Sequence, residues 1–251
     1  MNVLDMQNVG LSLGQTDVLA DISLHVARGE FVSILGPSGA GKSTIFRLLT
    51  GALNPDRGLI TCNGHPLYQS PHGFAFMPQS DALMPWLRIL DNLTLGLEVQ
   101  GVPRKEARAR AMPLLADFGL AEFAQHYPSQ LSGGMRQRAA LMRTVLQDRP
   151  MQLLDEPFGA LDALTRMQMQ KWFEDRWRSA RWTTLLVTHD VREAVALSDR
   201  IYVLSRRPAT VIAEVVVPTP RPRFGNPIPS EAHALEAHLL DILLNQTGED
   251  L

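Results

Sequence analysis

Gly36-Pro37-Ser38-Gly39-Ala40-Gly41-Lys42-Ser43 is the stretch whose reading decides the fold. It has the form G-x-x-x-x-G-K-S. Its glycines let successive backbone N–H groups curl around phosphate oxygens, and a helix starting at its end points its positive pole at them. In such a loop the lysine, here Lys42, reaches the β- and γ-phosphates, and the hydroxyl of Ser43 ligates Mg2+. Thr44 continues the same first turn. The motif needs a strand before it and a helix after it. Phe31 to Leu35 is a short apolar run of strand length, and Ile45, Leu48 and Leu49 recur at helical spacing. Strand, glycine loop and helix together imply an α/β protein that binds a nucleotide.

Two further stretches carry chemistry. Leu153-Leu154-Asp155-Glu156 closes a second apolar strand. An Asp-Glu pair at a strand end is usually solvated surface. In a chain with a phosphate loop it reads as an Mg2+-binding carboxylate, Asp155, beside a general base, Glu156, that polarises an attacking water. Leu131-Ser132-Gly133-Gly134-Met135 precedes a helix running through Leu141 and Val145. Gly133 and Gly134 expose backbone N–H groups at its start, which makes a second anion site. The other reading is a helix cap with a glycine hinge. Two phosphate-binding helix starts are odd for a single-site enzyme and make sense if two chains sandwich two nucleotides.

Composition fits a globular chain. Among 251 residues, 24 Lys+Arg stand against 26 Asp+Glu, so the basic excess of a nucleic-acid binder is missing. The 45% hydrophobic fraction is too high for disorder. The single cysteine, Cys62, excludes an intrachain disulfide and a cysteine-based zinc site, and reads as a small buried residue in a reducing compartment. No apolar run approaches the roughly 18 residues of a membrane span, and the start of the chain lacks a basic-then-apolar signal pattern. The chain is expected in the cytoplasm, with any membrane contact made through a partner.

Residues 3–13 and 18–26 alternate as a hairpin, with Val18, Ile22, Leu24 and Val26 as its apolar positions. From about 86 to 149 the pattern turns helical, with a stop at Gly119. Beyond 150 the alternation of strand and helix resumes: Met151 to Leu154, Leu164 to Ala180, Thr183 to Thr188, Val191 to Ser198 and Ile201 to Ser205. Gln152 interrupts its apolar strand and needs a buried partner or an edge position. Pro218, Pro220, Pro222, Pro227 and Pro229 mark an extended connector. Ser230 is placed to cap a last helix whose apolar face is Leu235, Leu239, Ile242 and Leu243, expected to pack back on the body.

The set resembles the ATP-binding subunit of an ABC transporter. The phosphate loop, Gln79 after Phe76-Met77-Pro78, the Leu131-Ser132-Gly133-Gly134 signature and Asp155-Glu156 stand in that family's order. Gly159-Ala160-Leu161-Asp162 and Val187-Thr188-His189-Asp190 complete it. The likeness covers about residues 3–224. It implies a P-loop NTPase of the ABC ATPase type, α/β, with an N-terminal antiparallel β subdomain and an inserted helical lobe. An ATPase domain would span 1–224, followed by a linker and helix over 225–251. It implies ATP and Mg2+ as ligands. Gln79 would touch Mg2+ and the attacking water and would sense the membrane partner. His189 would hold the γ-phosphate and orient the water. Asp162 would cross a dimer interface, and Ser132 to Met135 would cap the ATP of the other subunit. Leu13 stands where the family usually places an aromatic under the adenine. Base–aromatic stacking is worth about 1–3 kcal/mol, so the base should be gripped less.

Leu83-Met84-Pro85-Trp86-Leu87, Asp91-Asn92, Ala160 to Arg166 and Pro220-Arg221-Pro222-Arg223 are similar to the ATPases of nitrate, taurine, aliphatic sulfonate and pyrimidine-precursor importers. About 30 residues follow the core, too few for the C-terminal β-domain of sugar-type importers. The resemblance implies a homodimer on the cytoplasmic face of the inner membrane, peripheral. It would drive two membrane-spanning permease subunits fed by a substrate-binding protein, with no nucleic acid involved. A repair or translation ATPase of the family would carry two cassettes or a long insertion. A module that only holds ATP would not need Glu156 and His189. Leu83, Met84 and Trp86 are expected to be exposed where a permease docks, unless Trp86 belongs to the core.

Overall fold

Alternation of apolar and polar side chains folds the start of the chain into an antiparallel hairpin. In the computed structural model, which describes residues 2–67, 73–224 and 229–245, β1 (Asn2–Leu13) pairs with β2 (Thr16–Ala27). Val18, Ile22, Leu24 and Val26 are all buried. Then come β3 (Phe31–Leu35), α1 (Lys42–Leu49), β4 (Arg57–Cys62), β5 (His65–Pro66) and β6 (Phe74–Met77). Helices α2 (Ile89–Val99), α3 (Arg104–Asp117) and α4 (Gly133–Leu146) follow, then β7 (Met151–Asp155) and α5 (Ala163–Ala180). The chain continues through β8 (Thr183–Thr188), α6 (Val191–Leu197), β9 (Arg200–Leu204), β10 (Ala209–Val216) and α7 (Ser230–Asn245). Pro227 and the rest of 225–228, like residues 246–251, lie outside the described residues.

Two compact units divide the chain, residues 1–73 with 174–251, and residues 74–173. In the first, the sheet order is β5-β4-β1-β2-β10-β9-β3-β8. Its centre is parallel: β3 pairs with β8 on one side and β9 on the other. Every residue of β3 and β8 is buried, which is why both read as continuous hydrophobic or threonine-rich runs without alternation. Leu239 of α7 is fully buried against Val191, Ala194 and Val195 of α6, with Leu235, Ile242 and Leu243 beside it. The last helix packs on the body, as its amphipathic pattern indicates. Cys62 is buried, and burial pushes its thiol pKa up.

The second unit joins β6 and β7 in parallel, Met77 opposite Leu154, to the helices α2, α3 and α4. Gly119, at φ +63, ends the α3 region in a left-handed turn. Gln152 is fully buried in β7: its Nε2 donates to the Arg149 carbonyl at 2.8 Å, while its Oε1 has no partner among the described residues. Strands β4, β5 and β10 escape the sequence reading. In β4 only Ile60 and Cys62 are buried, and Gly58 at φ +85 breaks its alternation. No helix among the described residues is long and apolar enough to cross a membrane.

Candidate active site

In the first unit the phosphate loop is a preformed cradle. It leaves β3 at Gly36 and enters α1 at Lys42. The Lys42 ammonium donates to the carbonyls of Gly36 at 2.7 Å and Pro37 at 2.8 Å, so the loop closes on its own lysine. Gly41 has φ +102, and a Cβ there would stand 3.0 Å from Leu19 Cδ2. Only glycine meets both demands. The α1 N-terminus receives no side-chain cap, the condition under which a helix start can receive an anion. Ser38, Gly39 and Ser43 are exposed, while Gly36, Ala40, Gly41 and Thr44 are buried beneath them and Pro37 is half-buried.

His189 belongs to the same edge. Strand β8 pairs with β3 so that Thr188 stands opposite Leu35, and the next residue of each strand is His189 and Gly36. His189 is exposed there, followed by Asp190, whose side chain caps α6. Leu13 ends β1, opposite Thr16, on the hairpin whose Val18 and Leu19 abut Gly41. It is 40% exposed, an apolar side chain offered to solvent near the loop.

The second unit assembles the other groups. With β6 and β7 in register, the residues just beyond them meet: Gln79 Nε2 donates to Glu156 Oε2 at 3.3 Å. Asp155 is 3% exposed at the end of β7. Glu156 has φ +50, a left-handed conformation that costs a non-glycine residue about 1–3 kcal/mol and clusters at functional sites. Gln137 holds it, with Nε2 donating to the Glu156 carbonyl at 2.9 Å. Sequence reasoning gave Gln137 no part. The available signal was a polar residue in register with Leu141 and Thr144 on the buried face of α4.

Ser132 caps α4, accepting from the Met135 N–H at 3.3 Å, and Ser132 and Gly133 are exposed. A Cβ on Gly134 would stand 3.4 Å from the Ala160 carbonyl, so the signature lies against the turn that carries Asp162. Asp162 is exposed and caps α5 through the Thr165 N–H at 3.0 Å. That N–H holds its carboxyl pKa below the ordinary value.

The segment after Gln79 is pinned, not loose. Asp81 pairs with Arg136 Nε at 2.9 Å, Arg143 donates to the Asp81 and Ala82 carbonyls, and buried Asn92 bonds both the N–H and the carbonyl of Met84. Leu83 is 7% exposed, which corrects the expectation that it faces a partner: its backbone turns it into the core of this unit. Trp86 is 71% exposed and is not core, and Met84 is half-buried.

The model of the ABC transporter family matches residues 19–159. The chain belongs to the ABC transporter family. It is 46% identical over 201 residues to the formylaminopyrimidine import ATP-binding protein ThiZ of Halalkalibacterium halodurans, covering 80% of this chain and 78% of that one. It is 42% identical over 243 residues to the aliphatic sulfonates import ATP-binding protein SsuB 2 of Pseudomonas aeruginosa, covering 97% and 85%. The dimeric, post-hydrolysis state of the ATP-binding cassette MJ0796, bound to ADP and Pi, superposes with a TM-score of 0.78 at 30% identity, over 86% of this chain and 99% of that one. The chain is thus an ABC ATPase of the import type, with the P-loop α/β fold of that family.

Proposed function

We propose that this chain powers uptake of a small solute of the sulfonate or pyrimidine-precursor type, working as a homodimer on the inner face of the membrane beneath two permease subunits. The similarity to ThiZ and SsuB across most of both chains is the observation that carries this reading. The solute would be delivered by a separate binding protein.

The residues take the following roles in this reading. Gly36 to Thr44 bind the ATP phosphates, with Lys42 on the β- and γ-phosphates. Leu13 lies against the adenine. Ser43, Gln79 and Asp155 would hold Mg2+, since hydroxyl, amide and carboxylate oxygens are the hard donors this ion takes. When bound, the ion neutralises charge on the β- and γ-phosphate oxygens. Glu156 accepts a proton from water as its oxygen attacks the γ-phosphorus and the bond to the β–γ bridging oxygen breaks. Gln79, hydrogen-bonded to Glu156, orients that water, and His189 steadies the γ-phosphate. Ser132, Gly133 and Gly134 cap the ATP held by a second copy, and Asp162 crosses between the copies. Trp86 is an exposed aromatic of the kind that anchors a permease segment.

Uptake tests the reading. In cells lacking this chain, uptake of a labelled alkanesulfonate or of a formylaminopyrimidine is expected to fail and to return with the intact chain but not with Lys42→Ala. Undiminished uptake of both solutes in the deleted cells overturns the assignment.

A further inference from the structure

The Pro220-Arg221-Pro222-Arg223 stretch has no part in the chemistry above, yet in the first unit its arginines close on one helix end. Arg221 Nη2 donates to the Leu197 carbonyl, and Arg223 Nη1 donates to the carbonyls of Val195 (3.0 Å) and Ser198. These carbonyls at the end of α6 have no partner within the helix, and a cation there also suits the helix dipole. The opposite end of α6 is tied by Asp190, whose Oδ1 accepts the N–H groups of Arg192 at 2.9 Å and Glu193 at 3.2 Å. His189 immediately precedes that cap. A helix of seven residues is about 10 Å long. Restraint at one end is therefore felt at the other.

The arginines are themselves anchored. Glu174, fully buried, accepts from Arg221 Nη1 at 3.0 Å and from the Arg223 backbone N–H at 3.1 Å. Asp199 Oδ1 accepts from Arg221 Nε at 3.0 Å, while its Oδ2 accepts the N–H of Phe31 at 3.0 Å. Phe31 begins β3, the strand that ends in the phosphate loop. The Arg221 guanidinium lies 4.3 Å from the centre of the Trp177 ring. Burial, with Arg221 adding to it, lowers the Arg223 pKa to about 10, so it stays charged at neutral pH. Helix α6 also shares a buried cluster with α7.

We propose that Arg221 and Arg223 are positioning residues for ATP hydrolysis: they clamp the end of α6 to the root of β3 and so hold His189 at the sheet edge where the phosphate loop begins. This rests on the role given to His189 above.

The test uses the purified full chain and four variants: His189→Ala, Arg223→Ala, Arg223→Lys and the double variant His189→Ala/Arg223→Ala. Steady-state hydrolysis, ATP binding and thermal unfolding are measured for each. Arg223→Ala is expected to lower kcat about tenfold with the ATP Kd within about twofold, because small misplacements of a reacting group cost rate more than affinity. Arg223→Lys should recover part of that loss, keeping the charge but not the fork. The double variant should be no slower than His189→Ala alone, because the clamp acts through that side chain. Additive losses in the double variant, or affinity falling in step with kcat, overturn the proposal. So does wild-type kcat in both Arg223 variants. Should Arg223→Ala fail to fold, a fifth variant, His189→Ala/Arg223→Lys, set against Arg223→Lys decides by the same additivity. Wild-type turnover by His189→Ala would remove the role of His189 and this clamp with it. A slow His189→Ala beside a normal Arg223 pair would remove the clamp alone.

Discussion

Lys42 is held by carbonyls five and six residues away, whereas Glu156 is held by side chains 19 and 77 residues away. The phosphate loop thus builds its geometry from its own backbone. Two glycines at positive φ, an uncapped helix start and a buried lysine are enough. The Glu156 site in the second unit has no such local recipe. Strands β6 and β7 must pair in register before Gln79 meets Glu156, and α4 must bring Gln137 under the Glu156 carbonyl. A local cradle tolerates change in its surroundings and fails abruptly when its own residues change. An assembled site should loosen by degrees.

The largest effect is expected where the cradle itself is broken. Lys42→Ala removes the charged donor proposed for phosphate, and such bonds are worth about 1.5–3 kcal/mol, so ATP binding should weaken about 10- to 100-fold. Gly41→Val puts a branched side chain at φ +102 against Val18 and Leu19 and should do at least as much. Equilibrium nucleotide binding checks both, and near-normal affinity in either would mean the loop is not the principal phosphate site. Next comes the assembled site. Gln137→Ala frees the backbone of Glu156 while leaving its carboxylate, and is expected to lower kcat about tenfold with little change in ATP Kd. An unchanged kcat would show that Glu156 keeps its left-handed conformation unaided.

A smaller effect sharpens the first side of the comparison. Leu13→Tyr should tighten ATP binding by about 1 kcal/mol, the low end of base–aromatic stacking. An unchanged Kd would place the adenine elsewhere. The smallest concerns pH. The Thr165 N–H keeps the Asp162 carboxyl pKa below 3.8, its ordinary value. A carboxyl depressed in the folded state adds stability that is complete above the ordinary value and is lost as pH falls through the folded one. Asp162→Asn should therefore flatten the acid side of the stability profile below about pH 4 while leaving neutral pH almost unaffected. Urea unfolding across pH 2–7 reads this, and parallel profiles for both proteins would count against the cap.

The same contrast explains what the amino-acid sequence discloses. The cradle is legible because its cause is contiguous: Gly36 to Ser43 state their own backbone conformation. Asp155 and Glu156 are legible as residue types at a strand end. The contact between Glu156 and Gln79 is not, because it depends on strand pairing. Gln137 stands two residues beyond the quoted Leu131 to Met135 stretch and escapes notice, since its work is done by a side chain pointing inward from a mostly apolar helix face. The resemblance puts Leu83 outward, where a permease would dock, whereas the bonds that Asp81 makes to its N–H and that Asn92 and Arg143 make to its neighbours turn it inward. Pro220 to Arg223 announced a narrower kinship without disclosing that both arginines cap α6.

In the proposed function, binding and turnover are carried by separate sets of residues, with Glu156 as the base. Glu156→Gln tests it most directly, because the amide is nearly isosteric and cannot take the proton. Phosphate release and ATP affinity are measured on the same preparation at saturating Mg2+ and ATP. Turnover is expected to fall at least about 100-fold, the lower range for a positioned general base, while ATP Kd stays within about twofold of the unaltered chain. Near-normal phosphate release by Glu156→Gln would contradict it.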